Sequence, residues 1–277
     1  MPGMSTRRLF RSRKVLLEDG LQEAGVLVGE DGKIERILKQ QDLVSPQSNV
    51  EVCDVEDLVI MPGIVDSHVH VNEPGRTDWE GYWTATRAAA AGGVTTIVDM
   101  PLNSIPPTTT RKNLETKIIA AKGKTHIDVA FWGGVVPGNQ VTLSKLRMLT
   151  PNMLNPNELR LKVRCHIVHL SAAEGLPLVR VAKNSGATLT AETCHHYLTL
   201  NSEAIPDRAM QYKCCPPVRC LQNKVNETII QHKHKVTPYL GKQLDGQVVY
   251  TVVRGHLVYQ NGKFSPPLGQ LVFPNSS

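Results

Sequence analysis

Few folds can satisfy the segment Met61-Pro-Gly-Ile-Val-Asp-Ser-His-Val-His-Val-Asn-Glu73. The apolar run Val59 to Val65 enters a strand, Pro62-Gly63 interrupts it near its start, and Asn72-Glu73-Pro74-Gly75 ends it. Side chains alternate along a strand, so Asp66, His68 and His70 share one face. Two neutral imidazoles at that spacing can reach one metal ion. They sit at a strand's exit, where α/β enzymes place their chemistry. The same pattern also describes two plain strand residues, one hydrogen-bonded and one solvated, because His-x-His alone does not specify a zinc site.

Beyond this segment the chain alternates helix and strand. Thr77-Asp78-Trp79-Glu80 has the form of a capping box, and Trp79, Tyr82, Trp83 and Ala90 keep to helical spacing up to Gly92-Gly93. Val94 to Met100 reads as a buried strand, Arg111 to Lys122 as a helix closed by Gly123, and Ile127 to Val136 as a third strand. Asn139 to Leu149 reads as helix, Lys162 to Leu170 as strand, and Ser171-Ala-Ala-Glu174 as a second capping box. Val179 to Asn184 continues that helix, and Ala187 to Cys194, which holds Glu192, is a fifth strand. This order predicts an α/β fold, a parallel sheet with helices outside and ligands at the strands' carboxyl ends. His169 falls at that end with His68 and His70, whereas His166, three residues earlier, is expected to face away. The loop Lys213 to Arg219 is stiffened by Pro216-Pro217, so it suits either a pocket wall or a plain connection.

Both ends of the chain read as β. Leu9 to Leu17, Ala24 to Val28 and Ile34 to Leu38 are strand-like, with a hairpin signal at Glu30-Asp31-Gly32. Gln247 to Val253 and Leu257 to Gln260 are their counterparts, with turns at Arg254-Gly255 and Asn261-Gly262. We therefore expect a composite β-sandwich module from residues 1–58 and 237–277 bracketing a 59–236 catalytic region.

Composition excludes several roles. At 41% hydrophobic residues the chain has ample core material. A net charge of +6 suits an anionic ligand, but scattered Lys and Arg and only 5% aromatic residues leave no nucleic-acid surface. No apolar run approaches the ~18 residues that a membrane span needs. The six cysteines form no regular framework, so a reduced, cytoplasmic protein is expected. Cys214, Cys215 and Cys220 lack the second pair that a thiolate metal site requires. The acid-free, Arg-rich start up to Glu18 also fits a mitochondrial transit peptide, or an edge strand with exposed Arg.

Longer motifs carry a resemblance. Pro62 to His70 with Asn72 to Gly81, Gly92 to Asn103, His166-Ile-Val-His169-Leu-Ser, Glu192-Thr-Cys-His-His-Tyr197, Lys213 to Arg219, Lys235 to Tyr239 and Val253-Arg-Gly255 resemble the metal-dependent cyclic amidohydrolases, specifically the allantoinase group. The resemblance implies a (β/α)8 TIM barrel plus a β-sandwich from both termini. It also implies two zinc ions bridged by hydroxide and a carboxylated lysine, and zinc-dependent opening of the cyclic amide of the small molecule allantoin to give allantoate. By the same resemblance, His68 and His70 ligate one zinc and His169 the other, Asn103 lies near substrate, and the proteins are often homo-oligomers.

The chain departs from that pattern at three of six expected positions. The bridging lysine and another histidine, expected between Leu149 and Glu158, are absent, as is the aspartate base expected after Arg219. Val59 to Val236 is about 180 residues, against ~250 for a complete barrel. About five barrel strands are expected, and two internal blocks are missing. Unpaired sheet edges, weak zinc binding and impaired or absent activity are the expected consequences. The alternative is a non-catalytic scaffold or a non-functional truncated product. Replacement of a missing ligand by Lys162 or Glu192 is disfavoured, since Lys162 lies at the wrong end of its strand.

Overall fold

Arg7–Leu17 buries Leu9, Ser12 and Val15, and this strand, β1, is interior to the first sheet rather than an edge. The computed structural model describes residues 6–39, 42–43, 49–134, 136, 149–150, 165–170, 173–194, 198, 230–235, 237, 239–241 and 246–273. β1 pairs antiparallel with β2 (Gly20–Val28), which pairs with β3 (Ile34–Lys39). On its other side β1 runs parallel to β4 (Val50–Asp54) and to the short β5 (Val59–Ile60). The expected hairpin turn is present: Gly29 N–H donates to Lys33 O, and Gly32 takes φ 76°. The arginines of β1 are paired with acidic side chains. Arg8 meets Glu51 and Arg11 meets Asp54, each at 2.8 Å, and Arg13 meets Asp57 at 2.9 Å.

The middle of the chain forms parallel strands in the expected order. β6 (Ile64–Val69), β7 (Val94–Asp99) and β8 (Asp128–Phe131) make one parallel sheet. Gly133–Gly134 (β9) pairs with Leu149–Thr150 (β10), so Leu149 is strand where helix was expected. The rest of that expected helix, 139–148, lies outside the described residues. Cys165–Ile167 (β11) pairs in parallel with Leu189–Ala191 (β12).

Helix starts differ from the expected caps. α1 (Tyr82–Ala91) begins after Gly81, and its N-terminal donor is satisfied from a distance: Tyr82 N–H donates to Glu73 Oε2 at 2.9 Å. Thr77 to Trp79 form a turn, and Glu80 instead accepts from the Lys233 N–H at 3.3 Å. α2 (Arg111–Ala121) is capped by Thr110, whose hydroxyl accepts from Asn113 N–H at 3.2 Å. α3 (Leu176–Asn184) comes after a 3-10 turn at Ala173–Gly175 and has no side-chain cap.

Near the other end β13 (Tyr250–Val253), β14 (His256–Gln260) and β15 (Lys263–Phe264) form an antiparallel sheet. Arg8 reaches it from β1, donating to Gly255 O at 2.6 Å. Val253, Val258 and Tyr259 share one hydrophobic core with Tyr82, Ile97, Val129 and Phe131. The segment beyond β15 then runs along the edge of β8 that faces away from β7. Val129 N–H donates to Gln270 O at 2.9 Å and Val272 N–H to Val129 O at 2.8 Å, with a parallel bridge between Val129 and Leu271. Gly269 is required at this approach, because a Cβ there would lie 1.9 Å from Ile127 O. Part of an edge that a shortened barrel was expected to leave unpaired is thus covered from within the chain.

Behind the strand ends lies a buried ion pair. Lys117 Nζ is 2.9 Å from Asp99 Oδ2, both side chains are 1% exposed, and the ammonium also donates to Met100 O. Asp99 accepts from Tyr82 OH at 2.8 Å and from Val71 N–H at 3.0 Å. Removing one partner leaves an uncompensated buried charge. Lys117→Met is therefore expected to destabilise the fold by about 3–5 kcal/mol, read as a lower urea midpoint at unchanged slope.

His126 gives the fold a pH dependence. Its ring is buried against the edge of Trp83, at 4.7 Å between centroids, and Thr86 Oγ1 accepts its backbone N–H. Burial, then the charge of Arg87, pulls it down from 6.5 to about 4. The unfolded chain takes up this proton as pH falls through 6.5, whereas the fold resists until about 4. Stability from neutral His126 is therefore complete above 6.5 and is lost as pH falls towards 4. His126→Gln should flatten the unfolding free energy measured across that interval, and an unchanged slope would contradict this origin.

Candidate metal centre

Two strand exits bring three imidazoles together. β6 carries His68 near its end and His70 just past it, and His169 stands two residues beyond β11 in a left-handed conformation, φ 59°. Such a φ is uncommon outside glycine, so the chain around His169 must hold it there. The His68 ring centroid lies 4.0 Å from that of His169 and 5.3 Å from that of His70. Asn103, also left-handed at φ 71°, places its amide nitrogen 3.2 Å from His70 Nδ1. All four candidate residues therefore meet at one end of the parallel strands.

Glu192, just past β12, ties the cluster down. Its Oε1 is 2.6 Å from His68 Nδ1, and its Oε2 accepts from Ser67 Oγ at 2.5 Å and lies 3.1 Å from His166 Nε2. His166 does not face away, contrary to expectation. β11 stops at Ile167, so strand alternation does not relate His166 to His169. His166 Nδ1 is 2.7 Å from Thr190 Oγ1, and its ring stacks with Trp132, whose indole N–H donates to Ser67 O at 2.8 Å. Sequence reading missed Ser67, Trp132 and the role of His166. The only available signals were that Ser67 adjoins His68 and that Glu192 ends a strand.

The electrostatics favour a neutral His70. Burial pushes the Glu192 carboxyl up, but hydrogen bonds from His68, Ser67 and His166 outweigh it and hold the group at about 2. Part of the His70 ring meets solvent, yet burial of the rest, then the charges of His68, His169 and Lys117, lowers it to about 4. His70 is therefore uncharged at neutral pH.

His68 Nε2 is buried and has no hydrogen-bond partner. An orphaned buried nitrogen of this kind is costly unless something binds it. An ion is a suitable partner, since a metal-bound imidazole characteristically directs its other nitrogen to a carboxylate. The donors fit the imidazole part of a metal site. They do not make a complete one: among the described residues no three His, Cys, Asp or Glu side chains are grouped to hold an ion. The segment where the bridging lysine and another histidine were expected, 151–158, lies outside the described residues, as do Lys162, His195, His196 and Lys213 to Arg219.

Known proteins align with this arrangement. Residues 59–203 match the sequence profile of the amidohydrolase family. The mitochondrial allantoinase of Aquarana catesbeiana is 41% identical over 78% of this chain and 59% of its own length. The allantoinase of Streptomyces avermitilis is 39% identical over 78% of this chain and 64% of its own. The chain thus spans less than two thirds of these relatives. Among solved structures, the L-hydantoinase (dihydropyrimidinase) from Arthrobacter aurescens superposes with a TM-score of 0.80 at 18% identity, over 97% of this chain and 100% of that one. Dihydropyrimidinase from Brevibacillus agri gives 0.73 at 18% identity, over 96% and 98%. The fold is therefore the amidohydrolase type of barrel, incomplete here.

Proposed function

The chain belongs to the amidohydrolase family, and on that premise we propose an allantoinase-type role, hydrolysis of the cyclic amide of allantoin to allantoate. The observation that carries the reading is the partnerless, buried His68 Nε2 beside His70 and His169, within the matched residues. We assign zinc as the metal, with its protein ligands drawn from His68, His70 and His169. Bound metal supplies Lewis acidity, which polarises the amide carbonyl and makes water nucleophilic at neutral pH. Asn103 is the proposed substrate-binding residue, a reading supported by its amide nitrogen lying 3.2 Å from His70 Nδ1.

The proposed activity is an impaired one. The sequence offers no Gly-x-Lys-x-Phe, His-x-Glu or Ser-Asp-His-Ser motif, so the bridging lysine, one histidine and the aspartate base lack counterparts. Loss of a general base alone costs about 10²–10⁴-fold in rate. We further propose that residues 1–58 and 237–277 act as one β-module around 59–236, a reading supported by the Arg8 to Gly255 bond between the terminal sheets. We further propose a reducing compartment, the cytoplasm or, as the name of the Aquarana catesbeiana relative suggests, the mitochondrion. Among the described residues no helix is long and apolar enough to cross a membrane.

Elemental analysis of the zinc-supplied chain, with allantoin turnover measured beside the Streptomyces avermitilis enzyme, tests this. The expected result is about one zinc per chain and a measurable turnover lower by at least ~10²-fold. Two zinc ions and equal turnover would overturn the impairment, and no zinc with no turnover would overturn the hydrolase reading.

A further inference from the structure

Both oxygens of Glu192 are engaged by protein groups, which points to a task other than replacing a missing ligand. Oε2 takes Ser67 Oγ and His166 Nε2, and Oε1 takes only His68 Nδ1. An ionised carboxylate accepts and cannot donate, so the proton of this bond belongs to Nδ1. His68 is thereby fixed as the tautomer whose Nε2 carries a lone pair, and that nitrogen is the buried atom without a partner.

We propose that Glu192 is a positioning residue that sets the tautomer and ring orientation of His68, presenting Nε2 to a divalent cation such as zinc. Its own placement is determined on every side. Glu192 N–H donates to Ile167 O at 3.0 Å and Glu192 O accepts from Leu170 N–H at 2.8 Å, so its backbone also clamps the turn that carries His169. His166 is oriented from its far nitrogen by Thr190, and Ser67 is held through its carbonyl by Trp132. One carboxylate thus links the first barrel strand to the two beyond the shortened region. The Glu192 side chain is 11% exposed and that of His68 8%, which strengthens the bond relative to one in water.

This inference rests on the metal reading, and its test separates the two. In 15N-histidine-labelled full chain, two-bond proton–nitrogen correlations report the His68 tautomer without metal, and zinc titration reports affinity. The wild type should show the Nδ1–H form. Glu192→Ala should lose that preference and bind zinc about 10–100-fold more weakly. Glu192→Gln keeps an acceptor and the side-chain volume, so it should retain the tautomer with a smaller loss, and it serves if the alanine variant fails to fold. An Nε2–H form in the wild type, or wild-type zinc affinity in a folded Glu192→Ala, would overturn the proposal. A wild type with the Nδ1–H form but no zinc affinity would leave Glu192's positioning intact and remove the metal reading instead.

Discussion

Asp99 is the anchor on which the exit of the first barrel strand depends. Its carboxylate binds the Val71 N–H directly after His70, the Tyr82 hydroxyl at the start of α1 and the Lys117 ammonium of α2. Burial pushes this carboxyl upward and Lys117 opposes the shift, so ion pair and loop are energetically linked. Lys117 also adds to the charges that keep His70 neutral. A buried charge behind the site thus helps fix both the position and the protonation of a proposed ligand. Glu192 does comparable work at His68.

A barrel shortened from within retains more order than a count of strands suggests. The chain keeps its parallel strands in sequence order, and residues 269–272 cover part of the outer edge of β8. Helix α3 is less well covered. Leu178 is 73% exposed and Val181 64%, on a helix with no buried residue among those described. Apolar side chains left in solvent at this density favour association. Among the described residues the fold is thus well packed around Asp99 and poorly covered along α3.

Much of this was legible in the sequence, for identifiable reasons. Alternation of strand and helix gave the parallel order, local turn and helix-start signals put His68, His70 and His169 at the same end, and Asn103 came from the family resemblance. Boundaries set by distant partners were not legible. Thr77 to Glu80 has the form of a capping box, yet Glu73 caps α1 across a turn. β1 carries enough arginine to resemble an edge, yet its charges are met by acids on β4 and the loop after it. His166 defeated strand alternation because its strand is three residues long and its partners, Glu192 and Thr190, lie on or just past a different strand.

The central claim is that the imidazoles of His68, His70 and His169 form the surviving half of a metal centre. Diffraction data collected on either side of the zinc absorption edge, from crystals grown with zinc, would test it most directly. The account requires one anomalous peak within bonding distance of His68 Nε2, with His70 or His169 as a second ligand. No peak at Nε2, or two peaks bridged by a group from residues 151–158, would contradict it.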